Sequence, residues 1–191
     1  KAINKAIAIC SMASGGKVII PEGTWNTGAI TLKSHVNLVV EKGATLLFAF
    51  DTKLYPIVKT RWEGLDCMNY QPCIYAYQAT DIAITGEGTI DGNGSWKTWW
   101  SMCAKGDLTN DKKNIETQRI GRPQLFQMAE NGVPIEQRNM KGKGMRPQLI
   151  NFYQCQGILI ENVTLLRSPF WVIHPLLSKN ITVKNVKIWN E

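Results

Sequence analysis

The chain of 191 residues has no uninterrupted apolar run of the roughly 18 residues or more that a membrane-spanning helix needs. It is poor in acids, with 15 Asp and Glu against 22 Lys and Arg. Those acids are scattered: Asp51, Glu63, Asp66, Asp81, Glu87 and Asp91 fall at no common offset. The facing pair of carboxylates that glycosidic hydrolysis needs cannot be assembled from them. Histidine occurs only at 35 and 174. The five cysteines (10, 67, 73, 103 and 155) contain no CxxC and no Cys/His set with zinc spacing, so no metal is expected. Cys155 precedes an apolar strand and reads as core. Cys67 and Cys73 are near enough to pair, but spacing does not decide it. Glycines at 86, 88, 92 and 94 do not form GxGxxG, which argues against a phosphate loop and for tight corners.

What the chain does have is a repeat. GILIENVTLL (157–166) slides onto NITVKNVKIW (180–189) with Ile158 on Ile181, Ile160 on Val183, Asn162 on Asn185 and Leu165 on Ile188, a step of 23 residues. A fixed period of this size marks a stacked architecture. Each unit is a short alternating strand, an Asn corner and another short strand, which suits one coil of a parallel β-helix. NLVVEKGATL (37–46) resembles DIAITGEGTI (81–90) at an offset of 44, as two coils or as one coil carrying an insertion. DIAITGEGTI has one extra residue at its corner relative to the later units. Alternation predicts Ile158, Ile160, Val163 and Leu165 inward. Stacked Asn162 and Asn185 should take left-handed backbone and bond to one another, as structural residues. The same ladder argues against glycosylation at Asn162 and Asn180, although both sit in sequons.

The expected organisation is one incomplete all-β domain over 1–191. Residues 1–12 form a short capping helix with an apolar stripe of Ile3, Ala6, Ile7 and Cys10. Residues 14–48 are the first coils, 49–73 a loop insertion, 74–91 a coil, 92–146 a basic insertion and 147–191 regular coils. The 92–146 stretch has ten Lys/Arg against five acids and room for helix around 123–130. Solenoid insertions commonly build the binding face. The chain opens on Lys1 inside the capping helix with no N-cap residue before it, so an upstream segment is expected, and any signal peptide has been removed or lies upstream.

Seven tryptophans are many for this length. Trp96, Trp99 and Trp100 are expected to pack the insertion. His35 should lie at the surface in a turn, and Asp91 should hold a turn beside its glycines. The blander role for His174, in SPFWVIHP (168–175), is a satisfied structural residue.

GGKVIIPEGTW, GAITLKSHVNLVVEKGATL, ITGEGTIDGNGSWKTWW, MRPQLINFYQCQGILIENVTLLRSPFWVIHP and NITVKNVKIWN together resemble the polygalacturonases of glycoside hydrolase family 28. RWEG and RPQLI through SPFWVIHP look most like the bacterial, often exo-acting, branch. The resemblance implies a right-handed single-stranded parallel β-helix that hydrolyses α-1,4-galacturonosyl bonds in pectin with inversion and no cofactor. It implies an acidic polysaccharide as partner, which suits the net charge of +7, rather than nucleic acid or a membrane. It also implies a secreted or periplasmic parent protein. The family's catalytic motifs (Asn-Thr-Asp, Asp-Asp, Gly-His-Gly and Arg-x-Lys, in that order) do not occur in this sequence. They are expected beyond Glu191, in a remainder of the same protein that would also cover the last coil. The fragment alone is then expected to be inactive and prone to aggregate. By register, Trp171 and His174 would line the substrate groove, with Arg61 and Arg146 as partners for substrate carboxylates. The competing assignment is a non-catalytic β-solenoid that binds polysaccharide, as an adhesin or scaffold. Within the enzyme class, a rhamnogalacturonan or xylogalacturonan hydrolase is the neighbouring alternative. A calcium-dependent lyase would need an acidic cluster the sequence does not offer.

Overall fold

A computed structural model describes residues 2–103 and 117–190. Three parallel sheets wind into a right-handed β-helix, each strand pairing with its counterpart one coil away. The first sheet stacks Gly16–Ile20, Val36–Val40, Thr80–Gly86, Gln156–Glu161 and Lys179–Lys184. The second stacks Gly23–Thr27, Ala44–Phe48, Thr89–Asp91, Thr164–Leu166 and Lys187–Trp189. The third stacks Ile30–Thr31, Ile74–Tyr77, Ile150–Tyr153 and Ile173–Leu176.

Alternation lines the inside of each sheet with apolar columns. Leu38, Ile84 and Ile160 form the first, Leu46, Ile90 and Leu165 the second, and Ile30, Ile74 and Ile150 the third, all buried. Branched side chains fit such columns because the pleat holds them in one rotamer against the coils above and below. In the last coil Val183 continues the first column and Ile188 the second, while Ile181 continues the neighbouring column of Ile82 and Ile158, and all three are exposed.

The corner between the first and second sheets explains why the repeat is visible in only part of the chain. Val40 pairs with Gly86, and Thr45 with Thr89. Three residues (41–43) therefore bulge where the next coil has only Glu87. The coil after that has none, and Asn162 alone turns the corner. The offset between Val36–Val40 and Thr80–Gly86 is thus 46, not the 44 read from sequence, while 44 holds for the second sheet. The two-residue difference keeps every side chain on its own face, which is why the sequence match hid it. Direct pairing also makes this one coil with an insertion rather than two coils. Asn162 and Asn185 both have positive φ (63° and 52°), and Asn185 Nδ2 donates to Asn162 Oδ1 at 3.2 Å.

The helix Ala2–Met12 covers the first coil. Ile7 is buried, Ile3 and Cys10 pack beside it, and Ala6 stays exposed, so the stripe is narrower than its spacing suggested. Asn4 clamps the helix to the third sheet, its amide donating to Ala29 O and accepting from Thr31 N–H, both at 2.9 Å.

The 49–73 insertion carries an antiparallel hairpin, Ile57–Trp62 with Leu65–Tyr70, turning at Glu63-Gly64. Both turn residues have positive φ (43° and 91°), the condition for a two-residue hairpin loop. The hairpin lies on the outer face of the third sheet. Tyr75 Oη donates to Lys59 O at 2.6 Å, and Gln148 Nε2 to Arg61 O at 2.8 Å. From the other side, the helix Gln118–Glu130 and the segment after it close over the hairpin. Trp62, Cys67, Leu125, Met140 and Met145 form a second core there.

Candidate functional site

The outer face of the third sheet carries Tyr75, Asn151 and His174 in one cross-strand row. The segment 168–171 runs into the last of these strands and is tied down at several points. Trp100 Nε1 donates to Ser168 O at 2.9 Å, Ser168 N–H donates to Asn190 Oδ1 at 2.8 Å, and Arg146 Nη1 donates to Pro169 O at 2.8 Å. So held, Phe170 and Trp171 stack with ring centroids 5.0 Å apart and planes 12° apart. Trp62 from the hairpin stacks on Phe170, at 4.8 Å and 8°. The three rings form a platform whose outer member, Trp171, is 40% exposed. His174 meets Trp171 edge to face at 4.5 Å.

The four residues singled out from sequence converge here, with different surroundings. His174 is half-buried, and its pKa is pushed down to about 4, by burial first and by the positive charge of Arg61 second. Arg61 is on the hairpin strand rather than in its turn. It is held by Asp66, with Nε to Oδ1 at 2.8 Å and Nη2 to Oδ2 at 3.2 Å. Burial acts to raise the Asp66 carboxyl, but the hydrogen bonds and charge of Arg61 outweigh it and hold the group below its ordinary value. Arg146 is buried. It donates to Pro169 O and to Gln118 Oε1 (2.9 Å), and its guanidinium lies 5.0 Å from the Phe170 ring centroid. Its Nε has no partner among the described residues, and burial lowers its pKa. Arg146 thus braces the platform from behind.

The model of glycosyl hydrolases family 28 matches residues 10–191. The chain belongs to glycosyl hydrolase family 28. A probable polygalacturonase from Vitis vinifera is 31% identical over 180 residues, covering 91% of this chain and 29% of that protein. The exo-poly-α-D-galacturonosidase of Dickeya chrysanthemi is 34% identical over 117 residues, covering 57% of this chain and 19% of that protein. The crystal structure of a hyperthermoactive exopolygalacturonase from Thermotoga maritima matches with a TM-score of 0.93 at 38% identity, over 99% of this chain and 42% of that one. This family 28 chain therefore spans less than half the length of these relatives.

Other family 28 residues singled out from sequence serve structure. Asp91 is buried, accepts from Asn93 N–H at 2.8 Å, and takes a two-pronged contact from Arg167, with Nε to Oδ1 at 2.9 Å. Trp99 is buried edge-on to Phe50 and Tyr55, Trp100 packs beside it, and Trp96 stays exposed. Cys155 is core, His35 is exposed, and all five thiols are unpaired. Burial pushes the Cys67 thiol up to about 12. Among the described residues no helix could cross a membrane, and no three His, Cys, Asp or Glu are gathered as for a metal ion. Lys105, Lys112 and Lys113 of the basic stretch lie outside the described residues.

Sequence reasoning missed Trp62, Phe170, Asn151 and Asp66. The available signal was two strand-like runs flanking Glu63-Gly64, which marks a hairpin and puts Arg61 and Asp66 opposite one another.

The depressed His174 has a measurable consequence. An unfolded histidine titrates near pH 6.5. Between about pH 6.5 and 4 the unfolded chain takes up a proton that folded His174 refuses. Stability is therefore lost as pH falls through that window and levels off below it. Denaturant midpoints measured across the window should fall less steeply in His174→Gln than in the parent. Equal slopes would show that His174 is not held neutral.

Proposed function

We propose that this chain is the N-terminal part of an exported polygalacturonase that hydrolyses α-1,4-galacturonosyl bonds in pectin with inversion. The observation that carries the proposal is the Trp62–Phe170–Trp171 stack. It ends in a half-exposed indole against a neutral imidazole, on the sheet face that both insertions wall. An indole face suits the apolar face of a sugar ring. Arg61 and Arg146 add positive potential behind it for a polyanionic chain. Asp66 and Asp91 are committed to Arg61 and Arg167, so neither serves as acid or base in this scheme. The acid and base carboxylates belong to further coils of the same protein, stacked on the apolar columns that Ile181, Val183 and Ile188 present. A periplasmic or culture-supernatant location of the native protein would fit, and a strictly cytosolic one would not.

The test is release of reducing ends from polygalacturonate by the full-length protein. Trp171→Ala should lower kcat/KM by roughly tenfold or more, about 1.4 kcal/mol of stacking. Unchanged kinetics in a folded variant would remove Trp171 from the groove. Polygalacturonate binding without any bond cleavage would support a non-catalytic solenoid instead.

A further inference from the structure

Asn151 is fully buried between the hairpin and the last described strand of the third sheet. Its Oδ1 accepts from Thr60 Oγ1 at 3.3 Å. Its Nδ2 donates to the main-chain oxygen of His174 at 2.7 Å and lies 3.2 Å from His174 Nδ1. These contacts determine the chemistry of the ring. A carbonyl oxygen only accepts, so Nδ2 must be the atom that faces His174 O, and the amide cannot be flipped. An amide nitrogen only donates, so Nδ1 must accept and carry no proton. In a neutral imidazole the proton then sits on Nε2. An imidazolium would set Nδ1–H against the amide N–H.

The surroundings favour the same state. The charged group facing the ring is Arg61 on the hairpin, itself paired with Asp66. Trp171 packs on the ring from segment 168–171, and the neighbouring row of the sheet offers Tyr153 and Leu176, with no carboxylate among them. None of the hydrogen bonds among the described residues uses Nε2.

We infer that Asn151 is a positioning residue that holds His174 as a neutral imidazole protonated on Nε2, so that the ring offers one uncharged donor to a sugar oxygen at the Trp171 platform. A neutral donor matches a hydroxyl or glycosidic oxygen of the sugar. The sugar half rests on the proposed function, whereas the tautomer half does not.

The test uses full-length protein labelled with 15N at histidine, with long-range 1H–15N correlation. The His174 signal is assigned by its loss in His174→Gln. The parent should show Nε2 protonated and Nδ1 bare from pH 8 to pH 5. Asn151→Asp supplies a carboxylate that accepts from Nδ1–H. Its ring should switch tautomer or become charged, titrate at least one pH unit higher, and lose tenfold or more in kcat/KM with a shifted acid limb. Asn151→Leu removes the donor and should give mixed tautomers. An Nδ1–H or imidazolium spectrum of the parent at pH 7 would overturn the inference, and it decides even if the variants fail to fold. So would a folded Asn151→Asp with unchanged tautomer and titration. An Nε2–H spectrum without hydrolysis of polygalacturonate would strike the substrate proposal and leave the tautomer lock standing.

Discussion

Trp62→Ala is expected to destabilise the protein by about 3–5 kcal/mol, the range for removing a large aromatic from a packed core. Trp62 is fully buried, stacks on Phe170 and donates from Nε1 to Arg146 O at 3.3 Å. It is the one ring that belongs at once to the hairpin, to the second core and to the platform. Its loss leaves Phe170 without a backing face, so Trp171 shifts as well. Activity on polygalacturonate should then fall further than in Trp171→Ala, although Trp62 has no exposed surface with which to touch substrate. Trp62→Phe keeps the stack and loses the hydrogen bond, and should cost about 1 kcal/mol. Denaturant midpoints and hydrogen exchange of the 57–70 amides would measure both. A Trp62→Ala loss below about 1 kcal/mol would mean that the second core does not depend on the hairpin.

The repeat was legible in sequence where the corner between the first two sheets is a single asparagine. There both strands of a coil share the 23-residue step, as Ile158 with Ile181 and Leu165 with Ile188 show. Where the corner carries extra residues, the strands of one coil have different offsets and sequence comparison finds only one of them. Thr45 with Thr89 was found, while Val40 with Gly86 was not. Inward positions survive this, because alternation along a strand is local. The site was legible only as single residues. Trp171 and His174 stand in the regular part of the chain, where register can be counted. Their supports come from the hairpin and the second insertion, which have no period, and the relevant contacts join residues far apart in sequence, such as Thr60 with Asn151. Arg61 and Arg146 were chosen for their charge. Charge alone does not say whether a guanidinium faces a groove or, as with Arg146, a backbone carbonyl behind it.

These differences divide the labour in the molecule. The coils set spacing: parallel strands about 4.8 Å apart give a stiff ladder on which Asn151 and His174 stand side by side. The insertions set chemistry. The hairpin supplies the charge that helps keep His174 neutral and the ring that backs Phe170. The second insertion supplies Trp100, Gln118 and Arg146, which fix segment 168–171. A change in the inward columns of the coils should therefore act on folding, whereas a change behind the platform, as at Trp62, should act on folding and on the site together.

Gly86→Val tests the first half of that division and should be the most damaging single substitution in the coils. Gly86 has φ of +120°, in a region that residues with a side chain scarcely enter. A Cβ there would lie 2.0 Å from Val40 O and 2.7 Å from Val40 C, both backbone atoms of the coil beneath. Backbone cannot swing aside as a side chain can, so the two coils must separate. Separation breaks the register of Asn37–Val40 with Ala83–Gly86 and opens the column of Leu38, Ile84 and Ile160. Backbone strain of about 1–3 kcal/mol adds to overpacking of similar size, so a loss of about 3 kcal/mol or more is expected, with little folded protein recovered. Gly64 is the control: its φ is +91°, but a Cβ there meets nothing within 4 Å. Gly64→Ala should therefore show the backbone term alone, a loss of about 1 kcal/mol. If thermal melts show Gly86→Val no worse than Gly64→Ala, close stacking of Gly86 on Val40 is not what sets the register of these coils.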